Sequence, residues 1–226
     1  MSLREQMTKR LSGTGLDIGA LHRPMVKHSG MKVVYVDRLP AAELKKHSPE
    51  LSEFPLVEAD IISDAQYLPG IDSGKYDFVI ASHLIEHMSC TLGALEAWFR
   101  VLKVGGLLYL VVPDKRYIFD KKRSLTTFEH ILKDFQMLEA ERHEADWQHC
   151  LEYAELVDDC EGAEIEEHAK YLRDSGYSYH PHTFIPESFH EVLIYFIEHV
   201  CPGNIEAGPR IDPTDKHEFH FLLRKE

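Results

Sequence analysis

The stretch Gly15-Leu16-Asp17-Ile18-Gly19-Ala20-Leu21-His22-Arg23-Pro24 decides how the rest of the chain is read. A short apolar run closes on an acid and a glycine, and a proline-bearing turn follows. In a chain that alternates strands and helices, a first parallel strand ends this way and opens a ligand loop. Gly19 lets backbone approach a ligand with no Cβ in the way. Such crevices lie at the carboxyl ends of the strands. A glycine turn after a buried strand can also serve conformation alone, so the neighbouring segments must decide.

Working outward, residues before Gly13 mix charged and apolar positions and suit a leading helix. Lys32-Val33-Val34-Tyr35-Val36-Asp37 is a second strand, β-branched and ending on an acid. Asp37 stands 20 residues after Asp17, where an aspartate can accept hydrogen bonds from both hydroxyls of a ribose. The alternative is a surface acid capping the next helix. Residues 41–47 suit a short helix and 56–60 a third strand. Asp64-Ala65-Gln66-Tyr67-Leu68-Pro69 then puts an acid at a strand-to-loop junction. Tyr76-Asp77-Phe78-Val79-Ile80-Ala81-Ser82 has the continuous apolar character of a strand covered on both faces. His83 and His87 follow at a spacing of four, which would place both on one helical face. Residues 91–102 have helical period, with Leu92, Leu95, Trp98, Phe99 and Leu102 turned inward. The glycines of 103–106 end that helix, and 107–113 is a fifth strand. Strand and helix alternate through the first half of the chain, the pattern of a doubly wound, mostly parallel sheet.

The pattern breaks after Asp114. Residues 115–180 carry helical stretches around 126–138, 150–159 and 161–175. Either this insertion caps the carboxyl edge of the sheet and contributes acceptor contacts, or it pads the sheet or makes a dimer. Pro186 starts another helix, with Phe189, Val192, Leu193, Phe196 and Ile197 as its apolar positions. Strands within 204–211 and 217–223 close the chain as an antiparallel pair at a sheet edge. A length of 226 residues suits one domain, 1–226, with 115–180 as its insertion.

Composition narrows the function classes. The net charge of −13 argues against nucleic acid as the main partner. No apolar run reaches membrane-spanning length, and the charged segment 1–10 lacks the apolar core of a secretion signal, so the cytoplasm is the expected location. Cys90, Cys150, Cys160 and Cys201 have no CxxC spacing, which indicates neither a zinc knuckle nor a disulfide framework.

At this point the chain resembles the class I S-adenosylmethionine-dependent methyltransferases. The resemblance rests on Asp17-x-Gly19, Asp37, Asp64-Ala65-x-x-Leu68-Pro69, Tyr76-Asp77-Phe78-Val79 leading to Ser82-His83-x-x-Glu86-His87, and the glycine turn and strand of 104–113. It covers most of residues 13–113, and the final helix and strand pair fit that fold's ending. More narrowly, Gly19 to Pro24 together with Pro113-Asp114-Lys115-Arg116-Tyr117 looks like a bacterial small-molecule branch often found near glycosyltransferases. The implied fold is Rossmann-like, a mostly parallel seven-stranded sheet with an antiparallel C-terminal pair and a helical insertion after strand five. The implied cofactor is S-adenosyl-L-methionine. Gly19 would line its amino-acid tail, with Asp17 orienting the loop. Asp37 would take the ribose hydroxyls. Asp64 would accept from the adenine amino group while the Ala65 backbone meets the ring, and Ser82 and His83 would sit beside the sulfonium.

The sequence departs from the family where Leu21 and Arg23 stand in place of loop glycines. Leu21 should change the path of the loop past the cofactor. Arg23 can pair with the cofactor's carboxylate through its guanidinium fork; otherwise it is a surface arginine, or the loop no longer binds.

Methyl transfer from a sulfonium needs the nucleophile in line with the breaking bond, so positioning carries much of the rate. A hydroxyl acceptor also needs a general base. His83, His87 and Asp114 lie at strand ends and are the candidates, although a single histidine also commonly serves packing. Arg116, Tyr117, His143, Trp147, Tyr153 and His182 would build the acceptor pocket, with aromatic faces covering a ring and polar tips reading hydroxyls. Trp147 packing the insertion onto the sheet is the competing role.

Of the 15 histidines, His180-Pro181-His182 and His217-Glu218-Phe219-His220 invite a metal. Neither has the helical pair with an acid found in zinc hydrolases, and strand alternation separates His217 from His220. No metal is expected. The preferred function is methyl transfer to a small-molecule acceptor, with a sugar or glycan intermediate as the favoured class. The alternative is a cofactor-binding or regulatory module that has lost transfer. A nicotinamide oxidoreductase is disfavoured, because Asp17-x-Gly19 lacks the three-glycine pyrophosphate turn. Acceptor identity and oligomeric state are not legible.

Overall fold

In a computed structural model, the chain is described over residues 1–48 and 51–226, without the side chains of Glu139, Ala140 and His143. Seven strands form one sheet: β1 (Gly13–Ile18), β2 (Met31–Asp37), β3 (Ile61–Ile62), β4 (Tyr76–Ser82), β5 (Leu102–Pro113), β6 (Gly203–Asp212) and β7 (Asp215–Lys225). Their order is β3-β2-β1-β4-β5-β7-β6. The first five pair in parallel, and β7 is antiparallel to both β5 and β6. The number of strands and their directions match the expectation from sequence, including the reversed final pair. Among the described residues no helix is long and apolar enough to cross a membrane.

Burial on both faces explains the apolar runs of the central strands. Alternate residues of β4 point opposite ways: Val79 and Ala81 join one core, Phe78 and Ile80 the other. The larger core is covered by α3 (Thr91–Val101), α4 (Phe128–Gln136) and α7 (Pro186–Tyr195) through Leu95, Trp98, Ile131, Phe189 and Leu193. The smaller is covered by α1 (Leu3–Thr8) through Met7, with Leu11 and Met25. Ser2 and Glu5 form a reciprocal capping box at the start of α1. Gly15 has no tolerance for a side chain, since a Cβ there would stand 2.2 Å from the Phe78 ring.

The third strand differs from expectation. Residues 56–60 form no strand ladder, and strand pairing begins at Ile61 opposite Val36. The Asp60 side chain is the reason: its carboxylate accepts the Tyr35 N–H at 2.8 Å, occupying the donor a strand backbone would have used. The second helix of the insertion is also longer than expected, because its first half is charged and carries little apolar period. Here α5 (Glu139–Leu156) packs against α6 (Ala163–Ser175) around Cys150, Tyr153, Ala154, Ala169 and Leu172, a third core of its own. The short α2 (Ala41–His47) follows β2 as expected.

Candidate functional site

The carboxyl ends of β1, β2 and β4 open into a cleft of about 360 Å³, within the range of small-molecule sites. The loop after β1 forms its first wall. Asp17 is buried and accepts the Met25 N–H at 3.2 Å, closing the loop on its own strand. Burial pushes its carboxyl up to about 7. Gly19 has φ +67 and donates its N–H to the Val36 carbonyl; a Cβ would meet Leu84 Cδ1 at 3.2 Å. Leu21, standing where a glycine is usual, has φ +46 and lines the cleft. The Val57 N–H donates to its carbonyl and helps hold that conformation. Arg23 is exposed and does not line the cleft.

Asp37 lines the next wall. Its carboxylate accepts the Arg38 N–H at 2.7 Å, and burial raises its pKa. The Arg38 guanidinium reaches across to the Gly176 carbonyl at 3.0 Å, tying the end of β2 to the end of α6. Asp64 and Ala65 line the same cleft. Asp64 accepts the N–H groups of Gln66 and Tyr67, while the Ala65 carbonyl accepts from Trp98 Nε1 at 2.8 Å. This loop is therefore fastened to α3. Among the described residues, no ion pair engages Asp37 or Asp64.

His83 and His87 both line the cleft, but not as neighbours on one helical face. His83 has φ +50, and only Ile85–His87 forms a single tight turn, so the rings go separate ways. His83 Nε2 lies 2.9 Å from Glu218 Oε2. A carboxylate can only accept, which puts the imidazole proton on Nε2 and leaves Nδ1 as the lone-pair nitrogen. Glu218 in turn receives Arg4 from α1 and lies 3.3 Å from His220 Nε2. Burial works against its charge, but the hydrogen bonds from Arg4 and His83, with His220 close by, prevail and hold its pKa below the usual carboxylate range. His87 donates Nδ1–H to the Tyr179 carbonyl at 2.9 Å. Burial, then the neighbouring His180, lowers its pKa to about 3, so its ring is neutral across the physiological range.

Ser82, Asp114, Arg116, Tyr117, Trp147, Tyr153 and His182 are absent from the cleft lining. Asp114 is buried beneath a fork from Arg116, with Nε at 2.9 Å and Nη2 at 2.5 Å, which removes both from a free base or acceptor role. Trp147 packs between α5 and α6 with the Arg173 guanidinium 4.6 Å from its ring centre. Tyr153 is buried in that same core, and His182 is fully buried. The role expected of His143 lies outside the described residues. The insertion does reach the cleft, through Asp146, Tyr177, Ser178 and Tyr179, with Pro181 just beyond it.

Glu86, Glu218 and Arg38 were not anticipated from sequence as parts of this site. Glu86 is buried, its carboxyl pushed up by burial, and neither oxygen has a hydrogen-bond partner among the described residues. Oε1 lies 3.8 Å from His83 Nδ1. Its place in the Ser82–His87 motif was the available signal.

Residues 2–167 match the family described as "Methyltransferase domain", and the chain belongs to that family. Among solved structures, a Rhodobacter sphaeroides protein provisionally named a Zn-dependent alcohol dehydrogenase is similar at TM-score 0.59 and 13% identity, over 99% of this chain and 88% of that one. The plantazolicin methyltransferase BamL, solved with a desmethyl substrate analogue and SAH, is similar at TM-score 0.51 and 12% identity, over 98% and 80%. The trans-methyltransferase CalH, solved with SAH, is similar at TM-score 0.50 and 16% identity, over 99% of this chain and 55% of that one. At these identities the likeness is one of fold. A comparison with proteins of curated function finds no match.

Proposed function

We propose that residues 1–226 act as one S-adenosylmethionine-dependent methyltransferase domain, with 115–180 as its cap, acting on a small polar acceptor. The observation that carries this reading is the convergence of Gly19, Asp37 and the Asp64–Ala65 pair on one cleft, in a chain of the methyltransferase family. The residues suit such a cofactor. Gly19 leaves bare backbone where a side chain would crowd Leu84, and Asp37 offers a carboxylate to a ribose at the end of β2. Asp64 and Ala65 would hold the adenine. BamL and CalH, both solved with SAH, support the same choice of cofactor.

When bound, S-adenosylmethionine supplies an electrophilic methyl group. What this chain adds is position and proton removal. His83 Nδ1 is the proton acceptor of this scheme, with Glu218 fixing the tautomer and ring orientation. His87, neutral and held by the Tyr179 carbonyl, orients the acceptor. Tyr177, Ser178, Tyr179, Pro181 and Asp146 also line the cleft, a mix of aromatic and polar groups that would suit a polyhydroxylated ring such as a sugar.

Calorimetry with S-adenosylmethionine and SAH tests the cofactor, and turnover to SAH across an acceptor library tests transfer. Tight SAH binding without turnover for any acceptor would favour a cofactor-binding module. No binding of either would remove the reading altogether.

A further inference from the structure

Four side chains from three segments converge outside the cleft. His130 and Asp134 stand one turn apart on α4, His149 comes from α5, and His182 from the extended stretch between α6 and α7. One ligand atom from each lies within 4.8 Å of all the others. Asp134, His149 and His182 are buried, and His130 is half-buried at the rim.

Their separations suit a small cation. His130 Nε2 lies 3.3 Å from His149 Nε2 and 3.2 Å from Asp134 Oδ2, and His182 Nε2 lies 2.9 Å from Asp134 Oδ2. Zinc–nitrogen bonds of about 2.0–2.1 Å give tetrahedral edges of about 3.3–3.4 Å. The His182–Asp134 pair would lengthen slightly to that edge, and every other pair already lies within 4.8 Å.

Proton placement strengthens the case. His182 Nδ1 lies 3.0 Å from the Met88 carbonyl, which can only accept, so that nitrogen carries the proton. In a neutral ring Nε2 then presents a lone pair to Asp134, itself an acceptor. Two acceptors 2.9 Å apart require a proton or a metal ion between them. The Nδ1–H bond to a carbonyl is also how proteins orient a histidine whose other nitrogen binds metal.

We propose that His130, Asp134, His149 and His182 form a tetrahedral zinc site. Four protein ligands close the coordination sphere, which is the mark of a structural site. The ion fastens α4, α5 and the segment around His182. That segment also supplies Tyr179 and Pro181 to the cleft, so the metal steadies one wall of the site. This runs against the expectation from sequence.

The test uses the full chain, stripped with EDTA and reloaded with zinc or with Co²⁺ alone. The expected result is one zinc per chain retained through gel filtration, a higher unfolding midpoint on reloading, and the intense visible bands of four-coordinate cobalt. His149→Ala and His182→Ala should each abolish those bands, while His87→Ala should keep them. Loss of the bands in His87→Ala with retention in His149→Ala would move the ion to the Glu86, His87 and His180 group and overturn the proposal. If the variants misfold, the wild-type protein still decides: substoichiometric zinc, or only the weak bands of six-coordinate cobalt, would overturn it.

Discussion

His83 Nε2 lies 2.9 Å from Glu218 Oε2, joining the loop after β4 to a strand 135 residues further along the chain. Arg4 of α1 grips the same carboxylate, so α1 helps to set a ring in the cleft. A general base contributes roughly 10²–10⁴-fold to rate, so His83→Ala should lower turnover by at least about 10²-fold. Glu218→Gln keeps the shape but removes the charge, and should cost a smaller part of that factor. SAH affinity measured by calorimetry should be nearly unchanged in both. A parallel loss of affinity would show that the pair shapes the cofactor half instead.

Asp37→Ala removes an acceptor at the end of β2. Hydrogen bonds to a charged group contribute about 1.5–3 kcal/mol, so S-adenosylmethionine and SAH should both bind roughly 10–100-fold more weakly, in a protein whose unfolding midpoint hardly moves. Unaltered affinity in the folded variant would exclude Asp37 from the ribose.

Gly19→Ala places a Cβ at φ +67, a conformation that costs an L-residue about 1–2 kcal/mol. The added methyl would also meet Leu84 Cδ1 at 3.2 Å, and Leu84 lines the cleft. Both stability and cofactor affinity should fall. Denaturant unfolding and calorimetry on the same preparation would separate the two losses.

The buried Asp17 gives a pH dependence with a definite sign. Burial lifts its carboxyl from the ordinary 3.8 to about 7. Between those values the folded state holds a proton that the unfolded state releases, so stability falls as pH rises through that window. Asp17→Asn removes the dependence while keeping an acceptor for the Met25 N–H. Its urea midpoint, measured relative to wild type, should therefore be higher at pH 8 than at pH 5. A difference that does not change with pH would place the Asp17 pKa near its ordinary value.

Trp147→Ala should act on stability and leave turnover little changed. The indole packs in the α5–α6 core under Arg173, and a half-buried aromatic truncation should cost about 1–3 kcal/mol, less than the 3–5 typical of a full core site. Thermal unfolding and steady-state rates, taken together, check this.

What was legible in the sequence is what periodicity and strand ends encode. The β4 and β5 runs are apolar because both faces are covered, and Asp37 and the Asp64–Ala65 pair sit where strands end. The third strand was misplaced because a side chain, Asp60, takes over a backbone partner, which no pattern of hydropathy reports. Glu218 and Arg38 were missed because their partners lie 135 and 138 residues away. Trp147 carries an aromatic signal that suits a ligand and a helix pair alike. The spacing of His130 and Asp134 was visible as one helical turn, but His149 and His182 reach them only through the packing of separate segments.

Along residues 179–182, Tyr179 and Pro181 line the cleft, while His180 and His182 are buried against Asp120 and Asp134. Cleft lining and anchorage thus occupy odd and even positions of one short ribbon. Tyr179 is itself packed into the α5–α6 core, with its hydroxyl on the Asp146 carbonyl, so this wall of the cleft is tied to the cap through both faces of the ribbon.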